Sequence, residues 1–336
     1  MSWIDRLLAL APRTHRAPAA AGIVFPPDFL ASLERLRLVA LKALGGGLRE
    51  GHRLGAYKGG QLEFHGHRSY SPGDELRYVD WNTYARLGKP YVKEFAREEA
   101  GVLHILLDAT PSMSLGQPSK WTFARRVAAL FAHVAYASKD SVYLYVFRGD
   151  GTLEQFPKRG TRGGIKPCMD FLEKASVDAP FVPAAQSTAP APVASASAVN
   201  DSVLGRAVSN FLRSSSARGR TIVISDFWQN EDEVVAALAR LSSAGYDISG
   251  IHVLAPEELQ PDADGELLAR SVEEDGQVAL SASGDLAARY LRELESHRNT
   301  IEEAFKRRGG ACLFERCDTS IEKVLIATLR QRRWVT

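Results

Sequence analysis

The sequence of 336 residues contains little cysteine and little net charge. Its three cysteines, Cys168, Cys312 and Cys317, are too few for a disulfide framework and form no CxxC pair. This usage predicts reduced thiols in a cytoplasmic protein. A formal net charge of +2 creates no field that would attract nucleic acid or a membrane surface, so neither is an expected partner.

Long apolar runs and familiar catalytic motifs are also missing. No stretch of about 18 apolar residues occurs, so no segment is predicted to span a bilayer. There is no GxSxG elbow and no HExxH motif, and Thr110 stands where a phosphatase of the haloacid dehalogenase type needs a second aspartate after Asp108. The chain is therefore predicted not to be an enzyme, with metal-assisted hydrolysis through Asp108 as the remaining catalytic alternative.

Three regions differ in composition. Residues 1–47 combine a Pro/Ala/Arg-rich arm with a helix predicted over 28–44, whereas residues 48–100 are rich in Gly, Tyr and Arg and predict a β-rich segment. Residues 101–336 alternate apolar strands with amphipathic helices and contain an Ala/Pro/Ser-rich loop at 176–199. This alternation predicts an α/β fold, a mainly parallel sheet with helices on both faces.

Oxygen-bearing side chains follow two of the predicted strands. The strand "VLHILLD" ends at Asp108 and is followed by Thr110 and Ser112, and the strand "TIVIS" is followed by Asp226. Since the carboxyl ends of parallel strands meet at one edge of the sheet, we expect both carboxylates to lie together. Such an oxygen-rich pocket suits Mg²⁺, Mn²⁺ or Ca²⁺. The bound ion would then seek one more carboxylate from an acidic client protein.

The "DATPS" stretch resembles the Asp-x-Ser-x-Ser loop of the metal-ion-dependent adhesion site in von Willebrand factor A domains. The resemblance implies that Thr110, Ser112 and Ser202 ligate the metal, with Ser202 in place of the threonine of the family's third loop. Asp108 and Asp226 would act mainly through waters. A second hypothesis is a metal-free scaffold of the same fold, in which the hydroxyls satisfy only loop backbone groups.

A longer resemblance covers residues 45–330. The stretch "LEFHGHRSYSPGDELRYVDWNTYARLGKPYVKEFARE" is similar to the signature of the domain-of-unknown-function 58 family, which contains a von Willebrand factor A-like domain. The resemblance implies a bacterial protein that works with a MoxR-type AAA+ ATPase in chaperone-like maturation or activation of a client. The matching residues are Glu63, Phe64, Arg68, Tyr70, Pro72, Gly73, Asp74, Arg77, Asp80, Trp81, Ala85, Arg86, Tyr91, Val92, Glu94 and Phe95.

The "SPGD" sequence within this signature predicts a tight turn, because proline presets φ and glycine permits a positive φ. The surrounding charges are spaced for two ion pairs, Asp74 with Arg77 and Asp80 with Arg86. Two interpretations stay open: these residues brace a hairpin, or they form a contact surface for the ATPase. The residues of that candidate surface are Asp74, Arg77, Asp80, Trp81 and Arg86.

Overall fold

The computed structural model describes residues 24–45, 62–97, 101–158, 163–177, 202–215, 217–260, 266–270, 277–281 and 284–330. The predicted N-terminal arm and most of the predicted 176–199 loop lie outside these residues. The chain divides into two compact units, one drawn from residues 1–44 and 101–336 and the other from residues 45–100. Each unit is described by itself.

The larger unit is built around six strands and their connecting helices. Its strands are apolar and its helices amphipathic, as the residue patterns predict. Ser119, for example, caps the helix Lys120–Ala137 by accepting a hydrogen bond from Thr122 N at 3.2 Å. The elements around the sheet are α1 (Pro27–Gly45), β3 (Val102–Asp108), α3 (Lys120–Ala137), β4 (Ser141–Phe147), β5 (Leu153–Phe156), α4 (Ile165–Lys174), α5 (Val203–Ser214), β6 (Arg220–Ser225), α6 (Glu231–Ser243), β7 (Asp247–Leu254), α7 (Pro256–Leu259), α8 (Gly284–Lys306), β10 (Ala311–Arg316) and α9 (Ile321–Arg330).

The strand order is β10-β7-β6-β3-β4-β5, and every neighbouring pair is parallel except β4 and β5. One apolar cluster joins the sheet to α3 and α4, and a second joins the opposite face to α5, α6 and α8. The helix α1 packs on α3, where Leu33 and Leu36 contact Leu130 and Val134. The predicted α/β fold class is therefore confirmed.

The register of the central strands aligns their carboxyl ends. Leu107 of β3 lies opposite Ile224 of β6, so the next residue of each strand, Asp108 and Ser225, reaches the same edge. Ser225 in turn lies opposite His252 of β7. The loops that follow β3, β6 and β7 consequently meet at one edge of the sheet, which is where ligands bind in open α/β sheets.

The smaller unit is an antiparallel hairpin with a short helix in its connection. Strands β1 (Leu62–Ser69) and β2 (Tyr91–Arg97) pair, and α2 (Trp81–Leu87) lies between them, preceded by a 3₁₀ turn at Leu76–Tyr78. In the larger unit, β8 (Glu266–Arg270) and β9 (Gln277–Ser281) form another antiparallel pair. No helix among the described residues is long and apolar enough to cross a membrane.

Candidate functional site at the carboxyl edge of the sheet

Asp108 is the fully buried centre of a hydrogen-bond network at this edge. Its Oδ1 accepts hydrogen bonds from Thr110 N at 2.9 Å and Thr110 Oγ1 at 2.7 Å, and its Oδ2 accepts one from Ser225 Oγ at 2.6 Å. Ser112 Oγ lies 3.1 Å from Thr110 Oγ1 and extends this hydrogen-bond network. Burial, followed by the nearby charge of Asp226, raises the pKa of Asp108 well above the usual range of a carboxyl group.

A buried lysine lies at the same edge. Lys120 is fully buried, and its Nζ donates to Asp226 Oδ2 at 2.7 Å and to Glu258 Oε1 at 2.8 Å. Asp226 follows β6, and Glu258 lies in α7, directly after β7. One ammonium therefore joins the loops after two adjacent strands. Because burying a charge is costly unless it is paired, these two carboxylates are what make the position tolerable for lysine.

Lys120 lies at a place in its own helix that is electrostatically unfavourable for a cation. It is the first residue of α3, directly after the cap Ser119, and the N-terminal end of a helix carries a partial positive charge that disfavours cations. Burial alone would lower the pKa of Lys120, but the charges of Asp226 and Glu258 raise it above its ordinary value. The amine is thus a permanent cation held by tertiary contacts.

Backbone and indole groups orient the two carboxylates independently of Lys120. Trp228 N donates to Asp226 Oδ1 at 3.3 Å, and Trp228 Nε1 donates to Glu258 Oε1 at 2.9 Å. Glu258 Oε2 accepts a further bond from Ala255 N at 2.6 Å. Both acidic side chains therefore have a fixed direction.

The charge of Lys120 opposes direct ligation of a divalent cation by Asp226. An ion bound to Asp226 Oδ2 at about 2.1 Å would lie no more than about 4.8 Å from Lys120 Nζ, given the 2.7 Å hydrogen bond. At an effective dielectric constant of 20, the repulsion between the two charges would be at least about 7 kcal/mol. Within the described part of the chain, no group of three or more His, Cys, Asp and Glu residues is arranged to hold a metal ion.

The remaining predicted ligand, Ser202, lies at the start of α5. Its Oγ accepts a hydrogen bond from Gly205 N at 3.0 Å and so caps its own helix. Leu204 N donates to Gln229 Oε1 at 3.1 Å, which places this helix start beside the loop after β6. Of the five predicted metal ligands, Asp108, Thr110 and Ser112 are joined by hydrogen bonds, Asp226 is paired with Lys120, and Ser202 caps α5.

In the smaller unit, the predicted tight turn is confirmed, but the predicted ion pairs are wrong. Asp74 N donates to Ser71 O at 3.0 Å, and Gly73 has φ 108°. Asp74 pairs with Arg68 at 2.7 and 2.5 Å rather than with Arg77, which instead contacts Glu75. The cause is the hairpin, because β1 brings Arg68 across the turn. The Arg68 hydrogen bonds lower the pKa of Asp74 to about 2.

Asp80 has a structural role at the start of α2. It accepts hydrogen bonds from Asn82 N at 3.0 Å and Thr83 N at 3.2 Å, and it contacts His67 Nε2 at 2.7 Å. The His67 hydrogen bond is the main reason that the pKa of Asp80 falls to about 2. Trp81 is 59% exposed and Arg86 is also exposed. The smaller unit therefore presents Trp81 and Arg86 to solvent while Asp74 and Asp80 brace it.

Sequence reasoning missed Lys120, Ser225 and Glu258. Glu258 could have been found, because it follows β7, the strand beside β6, and the rule that placed Asp226 at the edge applies equally to it. Ser225 directly precedes Asp226 and could have been included on the same argument. Lys120 carries no comparable signal, since a lysine in the first turn of a helix usually reaches solvent.

Comparison with known proteins identifies relatives that match most of the chain. The family model described as "Protein of unknown function DUF58" matches residues 66–300. Uncharacterized proteins of Mycobacterium bovis and of two Mycobacterium tuberculosis strains are each 22% identical over 326 residues, covering 95% of this chain and 94% of theirs.

Three solved structures show more distant similarity. BatB from Bacteroides thetaiotaomicron is 18% identical with a TM-score of 0.40, and the match covers 69% of this chain and 100% of that one. An aerotolerance-related membrane protein from Bacteroides fragilis is 16% identical with a TM-score of 0.40, and the match covers 70% of this chain and 98% of that one. The SpRpn10 VWA domain is 12% identical with a TM-score of 0.37, and the match covers 68% of this chain and 94% of that one.

Proposed function

This chain belongs to the DUF58 family. We propose that it is a non-enzymatic protein-binding module whose contact surface is formed by the loops at the carboxyl edge of the sheet. The resemblance of its signature to that family further supports a MoxR-type AAA+ ATPase as the partner, acting with it on a client protein. We also propose that this contact forms without a bound divalent cation.

The observation that carries the proposal is the buried ammonium of Lys120 between Asp226 and Glu258. It joins the loops after β6 and β7, while Asp108, Thr110 and Ser225 join the loop after β3 to β6. Three loops are thereby held in one conformation. A surface that is already ordered loses little conformational entropy on binding, which favours protein recognition.

The same edge offers exposed residues that a partner could contact. Gln117 follows the Asp108 loop and Gln260 follows α7, and both are exposed. The network residues near them, Lys120 and Glu258, are fully and largely buried, respectively, so substitutions at these two positions change the surface while leaving the network in place. They are therefore the positions at which the proposal is tested.

The test is capture of a purified MoxR-type ATPase from the same organism by the full chain, with and without EDTA. We expect equal capture in both buffers, and at least tenfold weaker capture by Gln117→Arg and Gln260→Arg, because arginine adds bulk and charge to the contact surface. Ser243→Arg is the matched control, since Ser243 is exposed at the opposite edge of the sheet, before β7.

Each other outcome contradicts a stated part of the proposal. Capture that EDTA abolishes would restore the metal-dependent hypothesis, in which Mg²⁺ bridges to an acidic residue of the client. Capture that all three variants retain would place the contact elsewhere, and the exposed Trp81 and Arg86 of the smaller unit would be tested next. Absence of capture by the wild-type chain would refute the proposed partner.

A further inference from the structure

We propose that Lys120 is an internal cation that takes the place of a divalent metal ion at the carboxyl edge, so that removing this one side chain creates a metal site. The inference concerns the chain alone and does not depend on any partner. It predicts a ligand class for the altered site, namely hard divalent cations bound by carboxylate oxygens.

The first argument is geometric. Asp226 Oδ2 and Glu258 Oε1 converge on one point, the Lys120 Nζ, at 2.7 and 2.8 Å. Calcium–oxygen bonds are about 2.3–2.6 Å long, so each oxygen would move by only a few tenths of an ångström to ligate an ion at that point. Loss of the lysine side chain would also leave space for waters to complete the coordination shell.

The second argument concerns orientation. Asp226 is held by Trp228 N, and Glu258 is held by Trp228 Nε1 and Ala255 N. These donors remain when Lys120 is replaced, so the two carboxylates keep their directions. A site whose ligands are already oriented binds a metal more tightly than one whose ligands must be ordered first.

The third argument is charge. In the native chain, one positive charge lies against two carboxylates, both largely buried. Replacing lysine by alanine leaves those carboxylates without a counterion, and an uncompensated buried charge is strongly unfavourable. A divalent cation supplies the missing charge, whereas in the native chain it would be repelled by the ammonium. Lysine and metal are therefore mutually exclusive at this position.

The experiment titrates Mn²⁺ into the full chain and follows the free ion by electron paramagnetic resonance. We expect wild type to leave the free Mn²⁺ signal unchanged. Lys120→Ala should bind one Mn²⁺ per chain, with an affinity at least about tenfold above the upper limit that the wild-type titration sets. The control is Lys120→Ala combined with Asp226→Asn and Glu258→Gln, which removes the charged ligands and should abolish binding.

Two results would overturn the inference. The first is Mn²⁺ binding by wild type that Asp226→Asn abolishes, since lysine and metal would then coexist. The second is a folded Lys120→Ala chain that binds no more Mn²⁺ than wild type. If Lys120→Ala is unfolded without metal, it is refolded with Mn²⁺: recovery of the near-ultraviolet circular dichroism supports the inference, and failure to recover counts against it. Neither result bears on capture of a partner.

Discussion

The stability of the larger unit should depend on pH through one buried histidine, His104 of β3. This side chain is only 1% exposed and lies among four aromatic rings, those of Tyr143, Tyr145, Phe211 and Tyr246, with centroids 5.2–6.0 Å away. Burial lowers the pKa of His104 from 6.5 to about 4. The imidazole is therefore neutral in the folded chain at neutral pH.

The sign and size of the effect follow from this difference. Between pH 6.5 and 4 the unfolded chain binds a proton at His104 and the folded chain does not, so the free energy of unfolding falls as the pH falls. Each pH unit is worth about 1.4 kcal/mol, and the whole window about 3 kcal/mol. Below about pH 4 both states are protonated, and this contribution is lost.

The assay is urea unfolding at several pH values between 8 and 5, comparing wild type with two variants that cannot titrate. His104→Phe keeps an aromatic ring of similar size. His104→Gln keeps a donor in place of Nε2, which lies 2.9 Å from Ala217 O. Other titrating groups contribute equally to all three chains, so they cancel when wild type is compared with each variant.

We expect the stability advantage of wild type over either variant to shrink by about 2 kcal/mol between pH 7.5 and 5. The two variants should show the same pH dependence of stability even if they differ in absolute stability, because both lack the same titrating group, the His104 imidazole. A difference between wild type and variants that stays constant over this range would refute the reasoning.

Two further predictions concern local structure. Asp80→Ala should speed hydrogen exchange at the amides of Asn82 and Thr83, which donate to the Asp80 carboxylate. Asp80→Asn should preserve the protection of these amides, because asparagine also caps helices. Equal exchange rates in both variants would contradict the capping role. Gly250→Ala should destabilise the larger unit by about 1–3 kcal/mol, because an added Cβ would lie 2.4 Å from Phe305 Cζ. In urea unfolding, the double variant Gly250→Ala with Phe305→Leu should recover part of the lost stability. A Gly250→Ala chain as stable as wild type would disprove the clash.

The sheet and its edge could be predicted because their determinants are local in the sequence. Apolar strands such as Val102–Asp108 are buried on both faces, and parallel strands deliver their carboxyl ends to one edge. That reasoning brought Asp108 and Asp226 to the same edge, where the charge of Asp226 contributes to the raised pKa of Asp108. It needed only the order of apolar and polar residues along the chain.

The chemistry of the edge could not be predicted in the same way. Lys120 and Glu258 are 138 positions apart, and no local pattern links them. The local preference of a helix start even disfavours a lysine there, so only the tertiary fold explains its burial. The Arg68–Asp74 pair was missed for a related reason. The hairpin brings Arg68 to Asp74, although Arg77 is closer to Asp74 in the sequence and instead contacts Glu75.

The packing of helix α1 on α3 limits how far the chain can be shortened from its N-terminal side. Leu33 and Leu36 cover Leu130 and Val134 on the outer side of α3, and Val24 O accepts a hydrogen bond from Arg126 Nε at 2.9 Å. A fragment that begins at residue 101 would contain every strand of the sheet and yet expose this apolar strip to water. Such a fragment is expected to self-associate, so the boundaries of a well-behaved recombinant product include residues 24–36.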